Sequence, residues 1–157
     1  MFSHLKRVLT LRRANINDKQ QYFEWKNDEV VRQNALNSEI VDWETHKKWF
    51  NKKLKDRSSF LYVAHNMNHV IGQVRFDCCN GKATISYSVS NNFRKRGFGY
   101  KMVQQAINKI NEDFPSTKMI EAKVKENNIA SNKIFLGLNF YEQGRVGQVV
   151  IYQLKLT

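Results

Sequence analysis

Little in this chain can cross-link it, break it or coordinate a metal. Its 157 residues include two cysteines and one proline. Cys78 and Cys79 are neighbours in sequence. Two adjacent thiols give neither a disulfide framework nor a set of zinc ligands, so no metal site is expected. A lone Pro115 leaves no proline-rich linker, and no repeat or low-complexity tract occurs. No apolar run approaches the roughly 20 residues of a membrane-spanning helix. The opening MFSHLKRVLTLRR has no long apolar stretch before a small-residue cleavage site, so no signal peptide is read there. The cytoplasm is therefore the expected location.

What is present suits a packed domain. Apolar residues make up 41% and aromatics 12%, against disorder. A chain of this length buries roughly 70% of its unfolded surface and needs no staples. One domain over residues 1–157 is expected. The net charge is +12, from 26 Lys and Arg against 14 Asp and Glu. Such a field draws in polyanions. The basic residues are scattered and no nucleic-acid-binding motif accompanies them, which disfavours nucleic acid. Nucleotide cofactors and nucleotide-linked small molecules fit the surplus. A homodimer stays open.

Periodicity places the elements. Residues 8–13 read as a strand, and NINDKQQYFEWKND as a helix with Asn17 as N-cap and Gln20 completing a capping box. A polar connection follows. Asp42 caps a second helix whose inner stripe is Trp43, His46, Phe50 and Leu54. SFLYVAH, HVIGQVRFD and KATISYSVS read as strands. Residues 99–114 form a helix with Met102, Val103, Ala106, Ile107, Ile110 and Phe114 on one face, stopped by Pro115. MIEAKV is a strand, NIASNKIFLGL a short helix and VVIYQLKL a closing strand. This order predicts an α/β (α+β) layer fold, a mixed sheet with helices on both faces.

Asn80-Gly81 is a two-residue hairpin turn, because both positions tolerate positive φ. It sets a register in which Phe76 meets Ile85, Val74 meets Tyr87 and Gly72 meets Val89 on an apolar face. On the other face Asp77 meets Thr84, Arg75 meets Ser86 and Gln73 meets Ser88. That polar ladder either lines a wet cleft or faces solvent on a half-exposed sheet.

The stretch SVSNNFRKRGFGYKMVQQAI then sets three basic residues against a G-x-G at the mouth of a helix. Free N–H groups of such a loop and of a first helical turn make an anion site. The pattern is neither a P-loop nor a dinucleotide fingerprint. Arg94-x-x-Gly97-x-Gly99, between the fourth strand and the third helix, resembles the acetyl-CoA motif of the GNAT N-acetyltransferase superfamily. KENNIASNKIFLGLNF resembles that family's second cofactor motif, with Asn128 and Phe135 at its marked positions and a departure at Asn139.

The resemblance implies a mostly antiparallel sheet of six to seven strands, splayed between the fourth and fifth. It implies acetyl-CoA as co-substrate, its pyrophosphate on Arg94, Lys95, Arg96, Gly97, Phe98 and Gly99, with Tyr100 at the border. Val89 would meet the pantetheine arm, and Asn128 and Phe135 would contact the cofactor from the far side. The first half of the chain is similar to the GNAT enzymes of bacterial nonulosonic acid biosynthesis, which acetylate a nucleotide-linked deoxy amino sugar. The matching segments are Trp25-Lys26-Asn27, Asn37-Ser38-Glu39, His46 with Trp49-Phe50, and Gln73-Val74-Arg75-Phe76-Asp77. Trp25, Asn27, Asn37, Glu39, Gln73 and Arg75 are the implied acceptor contacts.

Acetyl transfer to an amine needs a base, an oriented thioester and a proton for the thiolate. Many relatives carry a Glu on the fourth strand, where this chain has Ser86 and Ser88, and a Tyr where it has Phe135. Asp77, His46 and Glu39 are candidate bases. Tyr141 is a candidate acid, as are Tyr152 and water. His46 equally suits a structural position on its helix, and both tyrosines suit core packing. Three readings compete: an N-acetyltransferase of nucleotide-linked amino sugars, one of protein N-termini or lysines, and a non-catalytic acyl-CoA-binding module.

Overall fold

The computed structural model describes residues 8–157, so the reading of the first seven residues lies outside the described part. Strand β1 is Thr10–Arg13, followed by a 3-10 turn at Ile16–Asp18 and helices α1 (Lys19–Asn27), α2 (Glu29–Asn34) and α3 (Trp43–Lys55). Strands β2 (Ser59–Asn66), β3 (His69–Cys79) and β4 (Lys82–Val89) run consecutively. Then come α4 (Phe98–Asp113), β5 (Met119–Lys125), α5 (Ile129–Gly137), β6 (Tyr141–Val146) and β7 (Val149–Lys155). The strands form one mixed sheet in the order β1-β2-β3-β4-β5-β7-β6.

Alternation along β2 explains why helices cover both faces. Phe60, Tyr62 and Ala64 join a core completed by Met102, Val103, Ala106 and Ile110 of α4 and Phe135 of α5. Leu61 and Val63 point the other way, into Tyr22 and Trp25 of α1 and Phe50 of α3. A strand buried on both faces reads as a continuous apolar run, as SFLYVAH does.

The β3–β4 register is the one set by the turn, from Cys79↔Lys82 out to Gly72↔Val89. Asn80 (φ 52°) and Gly81 (φ 79°) both take the left-handed region that this turn demands. Asp42 caps α3, accepting from the Thr45 N–H at 2.9 Å. Of the expected α3 stripe, His46 and Phe50 are buried, whereas Trp43 is exposed and packs edge-on against Phe23.

Three local expectations are corrected. The capping box belongs to the 3-10 turn that leads into α1 and is built on Asn15, not Asn17: Asn15 Oδ1 accepts from Asn17 N–H (2.9 Å), and Asp18 accepts from Asn15 N–H (2.8 Å). Gln20 takes no part in that box. The polar connection contains α2, started by Asp28, whose carboxylate accepts from Val31 N–H at 3.1 Å. Residues 141–146 form β6, antiparallel to β7. It is an edge strand with five of its six residues exposed, so it lacks alternation.

The decisive feature is between β4 and β5. They pair in parallel at three positions only, Lys82↔Met119, Ala83↔Ile120 and Thr84↔Glu121. Beyond Thr84 the two strands part, and β5 pairs with β7 along its whole length instead. The expected splay is therefore present.

The 3-10 turn also yields a stability prediction. Arg12 grips the buried Asp18 with two bonds of 2.7 Å. Burial pushes the Asp18 carboxyl up, but the Arg12 hydrogen bond, the Asn15 N–H and the nearby charges outweigh it and hold the group below its usual value. A lowered carboxyl contributes stability above the usual range near pH 4, and loses it as pH falls through the folded value. Asp18→Asn is expected to cost about 1–2 kcal/mol at pH 7, less than a fully buried pair because Arg12 is 38% exposed. In urea titrations the deficit should shrink at pH 3; a deficit equal at both pH values would contradict this.

Candidate active site

A cavity of about 850 Å³ opens where β4 leaves β5. One end is the loop entering α4. Lys95 (φ 61°) and Gly97 (φ 81°) are both left-handed there, which curls successive amides inward. Among the described residues, none accepts a hydrogen bond from the main-chain N–H of residues 95–100. An added Cβ on Gly97 would meet no protein atom within 4 Å, so the loop faces open space. The amides and the helix end together suit a phosphate.

Val89 sits on the lip of the gap. Ser90 N–H bonds to Ile71 O at 2.6 Å, which makes Val89 and Gly72 a non-hydrogen-bonded pair. The N–H and C=O of Val89, and those of Tyr87 two residues earlier, therefore turn away from β3 toward the opening. Facing them, Asn128 caps α5 by accepting from Ser131 N–H at 3.3 Å. The Tyr87 hydroxyl lies 2.6 Å from Ser131 Oγ, so a phenol ties β4 to α5. Burial raises the Tyr87 pKa, partly offset by Ser131, and keeps the phenol protonated. Phe135 meets Tyr87 edge-on at 6.0 Å.

The other end is the polar ladder. Gln73, Arg75, Thr84, Ser86 and Ser88 all line the cavity, so the ladder borders a cleft. Gln73 Nε2 donates to Ser88 Oγ at 3.1 Å, while Gln73 Oε1 and the indole N–H of Trp25 are buried without partners. An unmatched buried polar atom costs about 1–3 kcal/mol, which a ligand's hydroxyls can recover.

The residues named from sequence divide cleanly. Trp25, Asn37, Glu39, Gln73, Arg75, Val89, Arg94, Lys95, Gly97, Phe98, Gly99, Tyr100, Asn128 and Phe135 line this one cavity. Asn27, His46, Asp77, Arg96 and Tyr141 do not. Asn27 clamps Val41 through both its amide groups, at 2.9 Å each. His46 is fully buried among Phe23, Trp43, Trp49 and Phe50, with Nε2 2.8 Å from the Lys19 carbonyl. Burial lowers its pKa, against the pull of that carbonyl. Asp77 is held by Lys53 at 2.7 Å and Arg75 at 3.2 Å. Burial pushes its carboxyl up, but those cations and Ser59 bring it below the usual range, where it is a poor base. The Tyr141 hydroxyl donates to Gln153 at 3.1 Å on the exposed edge. Arg96 is exposed, its guanidinium 5.8 Å from the Phe93 ring.

Arg94 lines the cavity but its guanidinium is committed. It donates to Val89 O (3.1 Å), Asn91 Oδ1 (3.2 Å) and Asp28 Oδ1 (2.6 Å). Its side chain is a strut between the loop, β4 and the start of α2. Lys26, Trp49, Tyr87 and Ser131 line the cavity as well. Lys26 and Trp49 stand in the sequence only within the segments that carry the resemblance, with no role of their own, and Tyr87 reads as part of the apolar hairpin face.

A splayed sheet with an amide-lined loop at the gap is the architecture of acyltransferases that use a coenzyme thioester. Residues 8–140 match the family model described as an acetyltransferase (GNAT) domain. The chain belongs to the GNAT family and is an N-acetyltransferase. A search of curated proteins returns no match. Among solved structures, spermidine N-acetyltransferase from Vibrio cholerae, in complex with CoA and spermine, is 16% identical with a TM-score of 0.84. That match covers 94% of this chain and 95% of the other. RimL, a ribosomal L7/L12 alpha-N-protein acetyltransferase in complex with coenzyme A, is 18% identical (TM-score 0.82), covering 97% and 96%. The yncA protein from Salmonella typhimurium, with its cofactor acetyl-CoA, is 19% identical (TM-score 0.78), covering 96% and 95%. At these identities the likeness establishes the fold.

Removing the strut tests its role. Arg94→Ala is expected to cost about 1.5–3 kcal/mol in urea unfolding, the range for hydrogen bonds to charged groups. A neutral effect would show that the Asp28 contact carries no weight.

Proposed function

We propose that the chain, as one domain over residues 1–157, transfers acetyl from acetyl-CoA to the amino group of a nucleotide-linked (UDP-) deoxy amino sugar. The carrying observation is the wall of the acceptor half. It offers hydroxyls, amides and two unmatched buried polar atoms, with Glu39 as the single carboxylate lining the cavity among the described residues. A hydroxylated ring finds partners there; a polycation such as spermine finds little counter-charge. The resemblance of Trp25, Asn37, Glu39, Gln73 and Arg75 to nonulosonic acid enzymes points the same way.

The free amides of residues 95–100 would hold the coenzyme diphosphate, and Asn128 would border the arm. Acetyl-CoA supplies the acetyl group as a thioester. Val89 N–H, turned to the gap, would polarise the thioester carbonyl. Of the bases named above, only Glu39 reaches the cavity. Phe135 cannot donate a proton, but Tyr87 can. Its hydroxyl, beside the gap, would give its proton to the departing thiolate, and Glu39 would take the proton that the amine loses.

Three measurements check this. Offered UDP-amino sugars, peptides and polyamines, the protein should release free thiol with the first; turnover confined to a peptide or polyamine would overturn the acceptor assignment. Gly97→Val should weaken acetyl-CoA binding at least about tenfold, because an L-residue resists this left-handed geometry and its side chain would fill the open space; unchanged calorimetry would remove the loop from the cofactor site. Tyr87→Phe should lower kcat by about 10²-fold or more with little change in acetyl-CoA affinity. Full activity in that variant would dismiss Tyr87 as the acid.

A further inference from the structure

We infer that Lys26, Trp49 and Arg75 form an anion subsite in the acceptor half of the cavity, shaped for a phosphoryl group of the acceptor; the inference rests on the acetyl-transfer reading above. Lys26 Nζ lies 4.6 Å from the centre of the Trp49 ring, and Arg75 Cζ lies 5.1 Å from the same centre. Two like charges thus share one indole on the cavity wall.

Their counter-charge is missing. Among the described residues no carboxylate pairs with Lys26, although it is partly buried. Arg75 uses Nε for Asp77 at 3.2 Å, but the same carboxylate holds Lys53 more closely, at 2.7 Å. One anion therefore serves two cations, and the Nη groups of Arg75 have no hydrogen-bond partner among the described residues. Lys123 lines the cavity too, and among the described residues Glu39 is the sole carboxylate on its wall. A cation–π contact holds a charge in place without neutralising it. Burial first, and the Arg75 charge second, press the Lys26 pKa down, as expected for a cation without an anion.

A lysine on a surface helix ordinarily extends its amine into water. Lys26 instead folds onto Trp49 beside a second cation, so the favourable anion has to come from a ligand. A guanidinium with free terminal nitrogens matches phosphoryl oxygens in bidentate fashion, and an ammonium adds a point charge. The subsite is separate from the amides of residues 95–100. One end of the cavity then takes the coenzyme diphosphate and the other takes phosphate on the acceptor, with the gap between them.

The test uses inorganic pyrophosphate and UDP as probes, with the cofactor loop first saturated with coenzyme A. Both probes should bind in calorimetry, and the affinity should fall with salt. Lys26→Gln and Arg75→Gln should each weaken them about tenfold or more. Lys26→Gln should also raise Tm without the probe, since it deletes an unbalanced charge; this guards against reading misfolding as lost binding. Equal affinities in wild type and variants, or citrate binding as tightly as pyrophosphate, would overturn the subsite. So would acetylation of a UDP-amino sugar with a KM that Lys26→Gln leaves unchanged. Probe binding at these residues combined with acetylation of a different phosphorylated amine would keep the subsite and discard only the UDP-sugar assignment.

Discussion

The arrangement depends on a ladder that stops. Strands β4 and β5 pair at three positions and then part, although both continue for several residues. Main-chain groups of Tyr87 and Val89 are left facing an opening rather than a partner strand. Arg94 already matches the Val89 carbonyl; buried main-chain groups are nearly always matched, so the rest of this edge is a place for a ligand's own groups. The sheet tolerates the break because β7 takes over pairing with β5 from Met119 to Lys125. Fold and site share one origin: a parallel crossover that commits only its first residues.

Two contacts brace the opening. Arg94 ties the cofactor loop to Asp28 at the start of α2, and Lys125 Nζ reaches Gln33 O near its end, at 2.9 Å. Helix α2 thereby bridges from the α4 loop to β5. Its last turn leads into Leu36, Asn37 and Glu39, which line the cavity. The acceptor wall and the cofactor loop are thus mechanically linked. Chemistry is divided accordingly, with main-chain donors at one end, a phenol at the gap and unbalanced cations at the other.

Much of this was legible in the residues because it follows from local rules. The Asn80-Gly81 turn set the hairpin register residue by residue. The G-x-G before α4 marked a loop of left-handed backbone. What escaped notice depends on long-range placement. Helix α2 is only Glu29–Asn34, and its valines are not buried, so no stripe betrays it. Strand β6 is an exposed edge without alternation. Arg94 reads as a phosphate ligand until Asp28, 66 residues away in sequence, claims its guanidinium. His46 carries the right chemistry for a base, yet four aromatic rings enclose it away from the cavity. Lys26 stands out only once Arg75 is seen on the same indole.

The central claim is that main-chain amides at the parted strands and the α4 loop receive the coenzyme. Amide hydrogen exchange with and without acetyl-CoA measures this residue by residue. Slowed exchange at Val89 and across residues 95–100, with little change along the paired β2–β3 ladder, is the result expected. Protection confined to other surfaces, with these amides exchanging as before, would contradict it.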